Sequence, residues 1–231
     1  MRSFFLNKVE INLNELVLPP EESKHACKVL RMKNGDQLSI VNGKGDELIA
    51  EIIDDHYKKC VVKRVNFIHE SPDDYEIHIA IAPTKMNDRF EWFLEKATEL
   101  GIHKITPLLC SNSERKKIKL ERYEKIVIAA MKQSKRLYLP ELNQLTTLDA
   151  FIDKYPSGLL AHCYDEEKNK VHNSLNNKNC PILIGPEGDF TNLEVEKLVQ
   201  SGYVPISLGK TRLRTETAGI YACALAKNLF E

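Results

Sequence analysis

The sequence lacks the features that mark secreted, membrane-spanning and disulfide-rich proteins. Its six cysteines are scattered and include no Cys-x-x-Cys pair, which predicts reduced thiols rather than disulfides. The start, Met1-Arg2-Ser3-Phe4-Phe5, has no apolar core long enough for a signal peptide, and no uninterrupted apolar run approaches the length of a membrane span. We therefore expect a cytoplasmic protein without membrane contact.

An excess of charge of one sign is also missing. The 231 residues include 33 basic and 33 acidic side chains, so any contact with nucleic acid must come from local patches. The seven histidines are dispersed, and the spacing of His162, His172 and Cys180 matches no zinc module. We therefore predict that the protein has no metal site.

The common nucleotide-binding and nucleophile motifs are absent as well. No Gly-x-Gly-x-x-Gly follows a predicted strand, and no Gly-x-Ser-x-Gly elbow is present. Gly209-Lys210-Thr211 is similar to part of a phosphate-binding P-loop, but Val204 stands where that motif needs its first glycine. A P-loop protein is therefore the weakest alternative, and covalent catalysis has no support.

The first 70 residues have the pattern of a small β domain. Predicted strands at 36–41 and 47–53 flank a glycine-rich hairpin turn, and a third strand is predicted at 60–65. One short helix interrupts them, starting after Pro19-Pro20 and ending before Asn34-Gly35. Helical spacing places three cations on one face of this helix, namely Lys24, Lys28 and Arg31.

From about residue 72 the pattern changes to alternating strands and helices, which predicts a parallel α/β sheet. The strands are predicted at 77–82, 104–109, 159–163, 181–185 and 204–208. The helices are predicted at 88–101, 120–137, 191–202 and 215–229. Two helices start with residues spaced as capping boxes, Asp88 with Glu91 and Thr191 with Glu194. The predicted domains are 1–71 and 72–231.

Two stretches, each following a buried strand and leading into a helix, carry the clearest functional signal. They are Ile184-Gly185-Pro186-Glu187-Gly188-Asp189-Phe190 and the run from Leu208 to Ala218. Ligands of α/β sheets bind in the crevice outside the carboxyl ends of the strands. Glycines in the first stretch let the backbone approach a ligand closely, and the second supplies two arginines among hydroxyl side chains. Together the two stretches predict a ligand site.

A basic segment runs from Cys110 to Pro140. It contains nine basic and three acidic residues, a local net charge of +6 in a neutral protein. Such a cluster predicts a footprint for the phosphate backbone of RNA. With the basic helix face of the first domain, it predicts that both domains contact RNA. On the residues alone, a solvated surface remains the alternative for both clusters.

These motifs, and others along the whole chain, resemble the 16S ribosomal RNA uracil-N3 methyltransferases of the SPOUT superfamily. The matching segments are the Arg-x-Phe-like start, His25 to Asp36, Lys96-Ala97-Thr98-Glu99-Leu100-Gly101, Gln133-Ser134-Lys135-Arg136, Ile184 to Gly188, and Leu208 to Ala218. Two positions depart from the family pattern. Asp189 stands where a second glycine is common, and Lys132 stands where an acidic residue often precedes Gln-Ser.

The resemblance implies a PUA-like RNA-binding β-barrel over 1–71 and a SPOUT α/β methyltransferase domain over 72–231, with a parallel sheet and a C-terminal trefoil knot. It also implies S-adenosylmethionine (SAM) as methyl donor, a homodimer, and the 16S rRNA of the small ribosomal subunit as partner. The methyl acceptor would be N3 of a uridine in the decoding region. Two alternatives stay open: a superfamily relative that methylates another atom or RNA, and a non-catalytic RNA-binding or assembly factor.

By the same resemblance, the cofactor would lie in a cleft between the two motif stretches. The implied cofactor-binding residues are His162, Ile184, Gly185, Pro186, Glu187, Gly188, Leu208, Gly209, Leu213, Arg214 and Thr217. The segment from His162 to Tyr164 is expected to line the first loop of the knot. Leu208 and Leu213 would hold the adenine face, with ordinary core packing as the alternative.

The implied catalytic residues are Arg214, Arg212 and Glu187. Because N3 of uridine carries a proton at neutral pH, we expect Arg214 or Arg212 to stabilise negative charge on the flanking carbonyl oxygens. Glu187 is expected to act as a base or to hold an arginine or a backbone amide, and no general base is assigned. A structural ion pair between a cleft arginine and Glu216 is the alternative.

The target base is expected to leave its stack before it enters the site. The residues predicted to bind RNA are Lys24, Lys28, Arg31, Lys85, Arg89, Arg115 and Arg136. We expect them to contact phosphates, which gives strong salt dependence and little sequence information.

Overall fold

Two β-sheets organise this chain, one in each of two units. The computed structural model describes residues 1–7, 10–164, 168–170 and 179–230. The first unit comprises Met1–Pro72 and Met131–Leu139, and the second comprises Asp73–Ala130 and Pro140–Glu231. The predicted boundary between residues 71 and 72 assigns 131–139 to the second domain. In the structure these residues belong to the first unit.

The first unit contains a five-stranded sheet. Its strands are β1 (Arg2–Phe5), β2 (Glu15–Val17), β3 (Gln37–Val41), β4 (Asp46–Asp54) and β5 (Val61–His69). They are ordered β1-β3-β4-β5-β2, with β1 parallel to β3 and the other neighbours antiparallel. The three predicted strands are confirmed, whereas the sequence pattern does not predict the short strands β1 and β2.

The turn between β3 and β4 needs its two glycines. Gly43 and Gly45 have φ angles of 74° and 95°, which glycine adopts at little cost. The Asn42 side chain closes the turn by accepting hydrogen bonds from the amides of Lys44 and Asp46, at 2.8 and 3.1 Å. Fully buried side chains of the flanking strands form the core of the unit, and they include Leu38, Ile40, Leu48, Ala50, Ile52 and Val62.

The helical segment of the first unit differs from its prediction. It consists of α1 (Pro20–Lys24) followed by a π-helical turn, His25–Val29. Arg31 then adopts a φ of 58°, outside the helix. The prediction that Lys24, Lys28 and Arg31 share one helical face is therefore wrong, because the wider turn shifts the register and the chain reverses at Arg31.

The second unit is built on an eight-stranded sheet. Its strands are β6 (His78–Ile81), β7 (Lys104–Leu109), β8 (Glu141–Leu142), β9 (Thr146–Thr147), β10 (Gly158–Ala161), β11 (Asn169–Lys170), β12 (Pro181–Ile184) and β13 (Tyr203–Ser207). The order is β11-β13-β10-β12-β6-β7-β8, and β9 pairs separately with β7. Every pairing among the described strands of this sheet is parallel, which confirms the predicted parallel α/β sheet.

Helices connect these strands. They are α2 (Asn87–Leu100), α3 (Leu120–Gln133), α4 (Leu148–Lys154), α5 (Asn192–Gln200) and α6 (Thr215–Phe230). The sequence pattern predicts all of these except α4. α2 ends as expected at Gly101, whose φ is 102°. No helix in the described part of the chain is long and apolar enough to cross a membrane.

Only one of the two predicted capping boxes is present. Thr191 caps α5 by accepting the Glu194 amide, while the Glu194 carboxylate accepts the Thr191 amide. The box of Asp88 and Glu91 is wrong, because α2 begins at Asn87 and so places Asp88 within its first turn rather than at the N-cap.

The sheet order brings three carboxyl strand ends together. β10 lies between β12 and β13, and Ala161 is in register with Ile184 on one side and with Ile206 on the other. The two motif stretches therefore begin at strand ends that flank the end of β10. This is the edge of a parallel sheet where ligands bind.

Candidate active site

A cavity of about 820 Å³ lies at the carboxyl ends of β10, β12 and β13. Three stretches of chain supply its walls, and they are joined by side chains from α6. The lining residues fall in 161–164, 184–187 and 206–214, together with Lys168, Asp189, Thr215 and Ala218. Both motif stretches thus meet around one cavity, at the position that the strand order predicts.

The Gly-Pro-Glu-Gly loop after β12 is shaped by close packing. A Cβ atom at Gly185 would lie 3.0 Å from the ring of Phe190, which is fully buried, so this position suits glycine. The Asn112 side-chain amide fixes the other end of the loop by donating to the carbonyls of Gly188 and Asp189, at 3.2 and 3.0 Å. These contacts give this wall of the cavity a defined backbone shape.

Asp189 links this loop to the stretch after β10. Its φ of 62° lies in the left-handed region, which explains why glycine suits the position and why aspartate, which tolerates that region, can replace it. Its carboxylate accepts the amides of Cys163 and Phe190, at 2.7 and 2.8 Å. The carboxylate therefore joins two walls of the cavity.

Cys163 also lines the cavity but is not an activated nucleophile. Partial burial, together with the nearby Asp189 carboxylate, raises the pKa of its thiol, although Arg212 and Lys168 act in the opposite direction. A raised pKa leaves little thiolate at neutral pH.

Glu187 holds a backbone amide. Its Oε1 atom accepts the Lys85 N–H at 2.9 Å, and its side chain lines the cavity. Lys85 lies in the loop that follows β6, so the contact ties a fourth strand end to the cavity wall. Among the roles expected for Glu187, this contact matches the holding of a backbone amide.

The stretch from Leu208 to Arg214 forms another wall. Gly209 has a φ of 131°, a conformation that L side chains rarely adopt. Leu208 and Leu213 are half-buried and line the cavity, which favours a ligand contact over ordinary core packing. Arg212 and Arg214 are exposed and line the same cavity.

Nine of the eleven implied cofactor residues line the cavity, and they are His162, Ile184, Gly185, Pro186, Glu187, Leu208, Gly209, Leu213 and Arg214. The other two do not. Gly188 faces Asn112, and Thr217 is exposed on α6. The three catalytic candidates, Arg212, Arg214 and Glu187, all line the cavity, while their roles stay predictions.

Three charged lining residues carry no individual assignment from the sequence, and they are Lys168, Asp189 and Lys210. Asp189 lies inside the first motif stretch, but its negative charge stands out only as a departure from the family pattern. Lys168 follows β10 by several residues and belongs to no motif, so only the fold brings it to the cavity. Lys210 lies in the second motif stretch, and the small or aliphatic lining residues without an assignment include Ala161, Ile206 and Ala218.

The arginine beside Glu216 is not one from the cleft motif. Glu216 is buried in the first turn of α6, and its Oε1 lies 3.9 Å from Nε of Arg89 on α2. The predicted alternative, an ion pair between a cleft arginine and Glu216, is therefore wrong, because the arginine beside Glu216 is Arg89. Arg89, which the sequence assigns to RNA, sits 39% exposed beside this carboxylate.

The cations predicted to bind RNA are divided between the two units. Lys24, Lys28, Arg31 and Arg136 belong to the first unit, and Lys85, Arg89 and Arg115 belong to the second. Nζ of Lys28 lies 3.8 Å from the centre of the Tyr57 ring. Nζ of Lys85 lies 2.7 Å from Oε2 of Glu114, and this hydrogen bond raises the pKa of Lys85.

Metal ligands do not cluster in the described ranges. Among those residues no group of three histidine, cysteine, aspartate or glutamate side chains is placed to hold an ion. His172, one of the three dispersed residues weighed as zinc ligands, lies outside the described residues.

The parallel sheet, the cavity at its strand ends and the separate β unit define a two-unit α/β protein with a site for a small-molecule ligand. Residues 70–227 match the model of an RNA methyltransferase domain, and residues 18–63 match that of an RNA methyltransferase PUA domain. Ribosomal RNA small subunit methyltransferase E of Rickettsia conorii is 32% identical over 96% of this chain and 96% of its own length.

Solved structures agree with these matches. A probable rRNA-methyltransferase from Porphyromonas gingivalis superposes with a TM-score of 0.85 at 36% identity, covering 100% of this chain and 98% of that chain. A protein from Legionella pneumophila, solved in complex with the bound cofactor SAM, has a TM-score of 0.85 at 30% identity, covering 98% of this chain and 96% of that chain. The chain belongs to the ribosomal RNA small subunit methyltransferase E family, and the family resemblance carried by its motifs is confirmed.

Proposed function

We propose that this protein is a SAM-dependent methyltransferase that methylates N3 of a uridine in the decoding region of 16S rRNA, in the small ribosomal subunit. The observation that carries the proposal is that both motif stretches line one cavity in a chain of this family. The SAM complex of the Legionella protein supports the cofactor. The small-subunit rRNA methyltransferases among the relatives support the RNA substrate.

The cavity fits a molecule of the size and chemistry of SAM. Its volume of about 820 Å³ falls within the range of roughly 300–1,000 Å³ found for small-molecule sites. The aliphatic side chains of Ile184, Leu208 and Leu213 suit an adenine face, and the charged groups on the cavity wall suit the zwitterionic methionine end. Backbone groups of the two motif stretches can read the adenine edge.

The protein contributes to the reaction by aligning the methyl acceptor with SAM and by stabilising the negative charge that develops on the acceptor. When bound, SAM supplies a methyl group that its sulfonium charge already activates, so positioning of the acceptor dominates. The guanidinium groups of Arg214 and Arg212 line the cavity and can donate hydrogen bonds to the two carbonyl oxygens that flank N3. This contact stabilises the negative charge that develops as N3 loses its proton to solvent.

The proposal extends to the domains, the assembly and the RNA contacts of the protein. Residues 1–71 form a PUA-like RNA-binding β-barrel, and 72–231 form the methyltransferase domain with a C-terminal trefoil knot. The enzyme acts as a homodimer in the cytoplasm and uses no metal. RNA is bound mainly through phosphate contacts, with the target base unstacked, and the cations proposed for these contacts are Lys24, Lys28, Arg31, Lys85, Arg89 and Arg136.

Nucleoside mass analysis tests the reaction directly. Unmethylated small ribosomal subunits are incubated with the protein and labelled SAM, and their RNA is digested to nucleosides. We expect label in 3-methyluridine. Label in another nucleoside would reassign the acceptor atom, and an absence of label despite SAM binding would reassign the substrate. A protein that binds RNA but no SAM would be a non-catalytic factor.

Replacing Arg214 with alanine tests the assigned chemistry. We expect Arg214→Ala to lower the methylation rate at saturating subunits by about 100-fold, the effect typical of losing one charge-stabilising donor. Affinity for RNA should change little. Arg64→Ala, which removes an exposed arginine of β5 outside the cavity, is the matched control and should keep the rate. Loss of RNA binding alone would refute the role assigned to Arg214.

A further inference from the structure

The guanidinium of Arg115 is used inside the second unit. Its Nε donates to the Thr84 carbonyl at 2.9 Å, and its Nη2 donates to the carbonyl of the next residue, Lys85. The side chain is half-buried. Two donors of one planar group thus hold two consecutive carbonyls, which is backbone recognition rather than the use expected of a phosphate contact.

The loop that Arg115 holds leads directly to the cavity. Thr84 is fully buried, and its hydroxyl donates to the Met86 carbonyl at 2.7 Å. The Lys85 amide donates to Oε1 of Glu187, which lines the cavity. A chain of hydrogen bonds therefore runs from the Arg115 guanidinium through the loop after β6 to the Gly-Pro-Glu-Gly wall.

We propose that Arg115 is a positioning residue for the cofactor site, acting through the Lys85 amide and Glu187, and not a contact for RNA phosphate. The proposal deepens the proposed function, since it takes SAM as the ligand of the cavity. It replaces the sequence-based assignment of Arg115 to RNA. Arginine is needed because its rigid fork orients both carbonyls at once.

The ion pair between Lys85 and Glu114 does not account for the shape of the loop after β6. Nζ of Lys85 lies 2.7 Å from Glu114, but the two side chains are 66% and 53% exposed. Exposed pairs of this kind contribute little, because water and salt screen them. The shape of the loop therefore depends on the Arg115 guanidinium rather than on the Lys85 ammonium group.

Arg115→Lys separates the two roles because lysine keeps the positive charge but lacks the planar fork. SAM affinity is measured by calorimetry on wild type, Arg115→Lys, Glu187→Ala, which removes the acceptor of the Lys85 amide, and the double variant. We expect each single variant to bind SAM about five- to tenfold more weakly, and the double variant to be no weaker than either, because coupled positions are not additive. Lys117→Ala, an exposed neighbouring cation, is the control and should bind SAM like the wild type.

Three further readouts exclude a general loss of structure. In Arg115→Lys the KM for SAM should rise while kcat changes less than twofold, and amide hydrogen exchange at Lys85 should accelerate. RNA affinity and its salt dependence should stay unchanged, since the charge is kept. Unchanged SAM affinity in Arg115→Lys, with weaker RNA binding in Arg115→Ala, would overturn this proposal alone. Wild-type protein that binds no SAM would overturn the proposed function and this inference together.

Discussion

Replacing Asp189 with glycine should weaken SAM binding about tenfold and lower the free energy of unfolding by about 2 kcal/mol. The Asp189 carboxylate holds the Cys163 amide at 2.7 Å and so fixes the stretch after β10 against the loop after β12. Glycine removes that bond and the one from the Phe190 amide, but it is well suited to the φ of 62° at this position. The substitution therefore loosens one cavity wall without straining the other.

The expected change in the free energy of unfolding combines the loss of hydrogen bonds with the relief of backbone strain. A hydrogen bond to a charged acceptor contributes about 1.5–3 kcal/mol, and the lower end applies because Asp189 is only half-buried. The Asp189 carboxylate accepts two amides, those of Cys163 and Phe190, while relief of its left-handed backbone returns roughly 1 kcal/mol, so the free energy of unfolding falls by about 2 kcal/mol. The freed stretch must also be ordered when SAM binds, and about 1.4 kcal/mol of ordering cost is a tenfold rise in Kd.

Calorimetric titration with SAM and denaturant unfolding measure the two quantities separately. Asp189→Asn should fall between wild type and Asp189→Gly, because asparagine tolerates the same backbone and keeps one acceptor oxygen without the charge. Asp149→Asn is the control, since it removes an exposed carboxylate that pairs with Lys197 on the surface. If Asp189→Gly binds SAM as tightly as wild type, the link between the two walls has no part in cofactor binding.

Two predictions concern stability. Burial, followed by the positive charges of Lys104 and Lys154, lowers the pKa of His78 to about 3, and His78 is bonded to Thr106 at 2.9 Å. The unfolded chain binds a proton at this residue below about pH 6.5 while the folded chain does not, so stability is full above that pH and falls toward pH 3. Denaturant unfolding should show a loss of about 2 kcal/mol from pH 7.5 to 5, at about 1.4 kcal/mol per pH unit, and His78→Gln should abolish that part of the loss; an unchanged pH profile in the variant would contradict it. Thr191→Ala should lower the free energy of unfolding by about 1 kcal/mol through loss of the N-cap of α5, and an unchanged denaturation midpoint would show that the cap is not needed.

The parts of the fold that follow from local pattern could be predicted from the sequence. The strand at 104–109 and the glycine turn after β3 are set by an apolar run and by residues that tolerate positive φ. The two-residue strands β8 and β9 have no period of their own, because pairing with β7 alone defines them. The π-helical turn at His25–Val29 likewise has no sequence signature, and it displaced Arg31 from the predicted face.

Some features of the candidate site could likewise be predicted from local pattern, and others could not. The motif stretches could be placed at strand ends because apolar runs precede them, and the sheet order then brings both to one cavity. Lys168 and the Asp189 bridge to Cys163 could not be predicted, since they depend on which stretches become neighbours. The false capping box at Asp88 shows that spacing alone does not decide which residue begins a helix.

Charge counting from the sequence overestimates the surface available to RNA for a related reason. The net charge of +6 between Cys110 and Pro140 counts Arg115 and Arg122 as equal to their lysine neighbours. In the structure Arg115 binds two backbone carbonyls, and Arg122 binds Glu91 with its Nε at 2.6 Å from the carboxylate. The planar guanidinium group donates hydrogen bonds to an acceptor inside the protein as readily as to a phosphate. Only the positions of the acceptors separate the two uses, so the cations that position the site must be removed from the count before the rest are assigned to RNA.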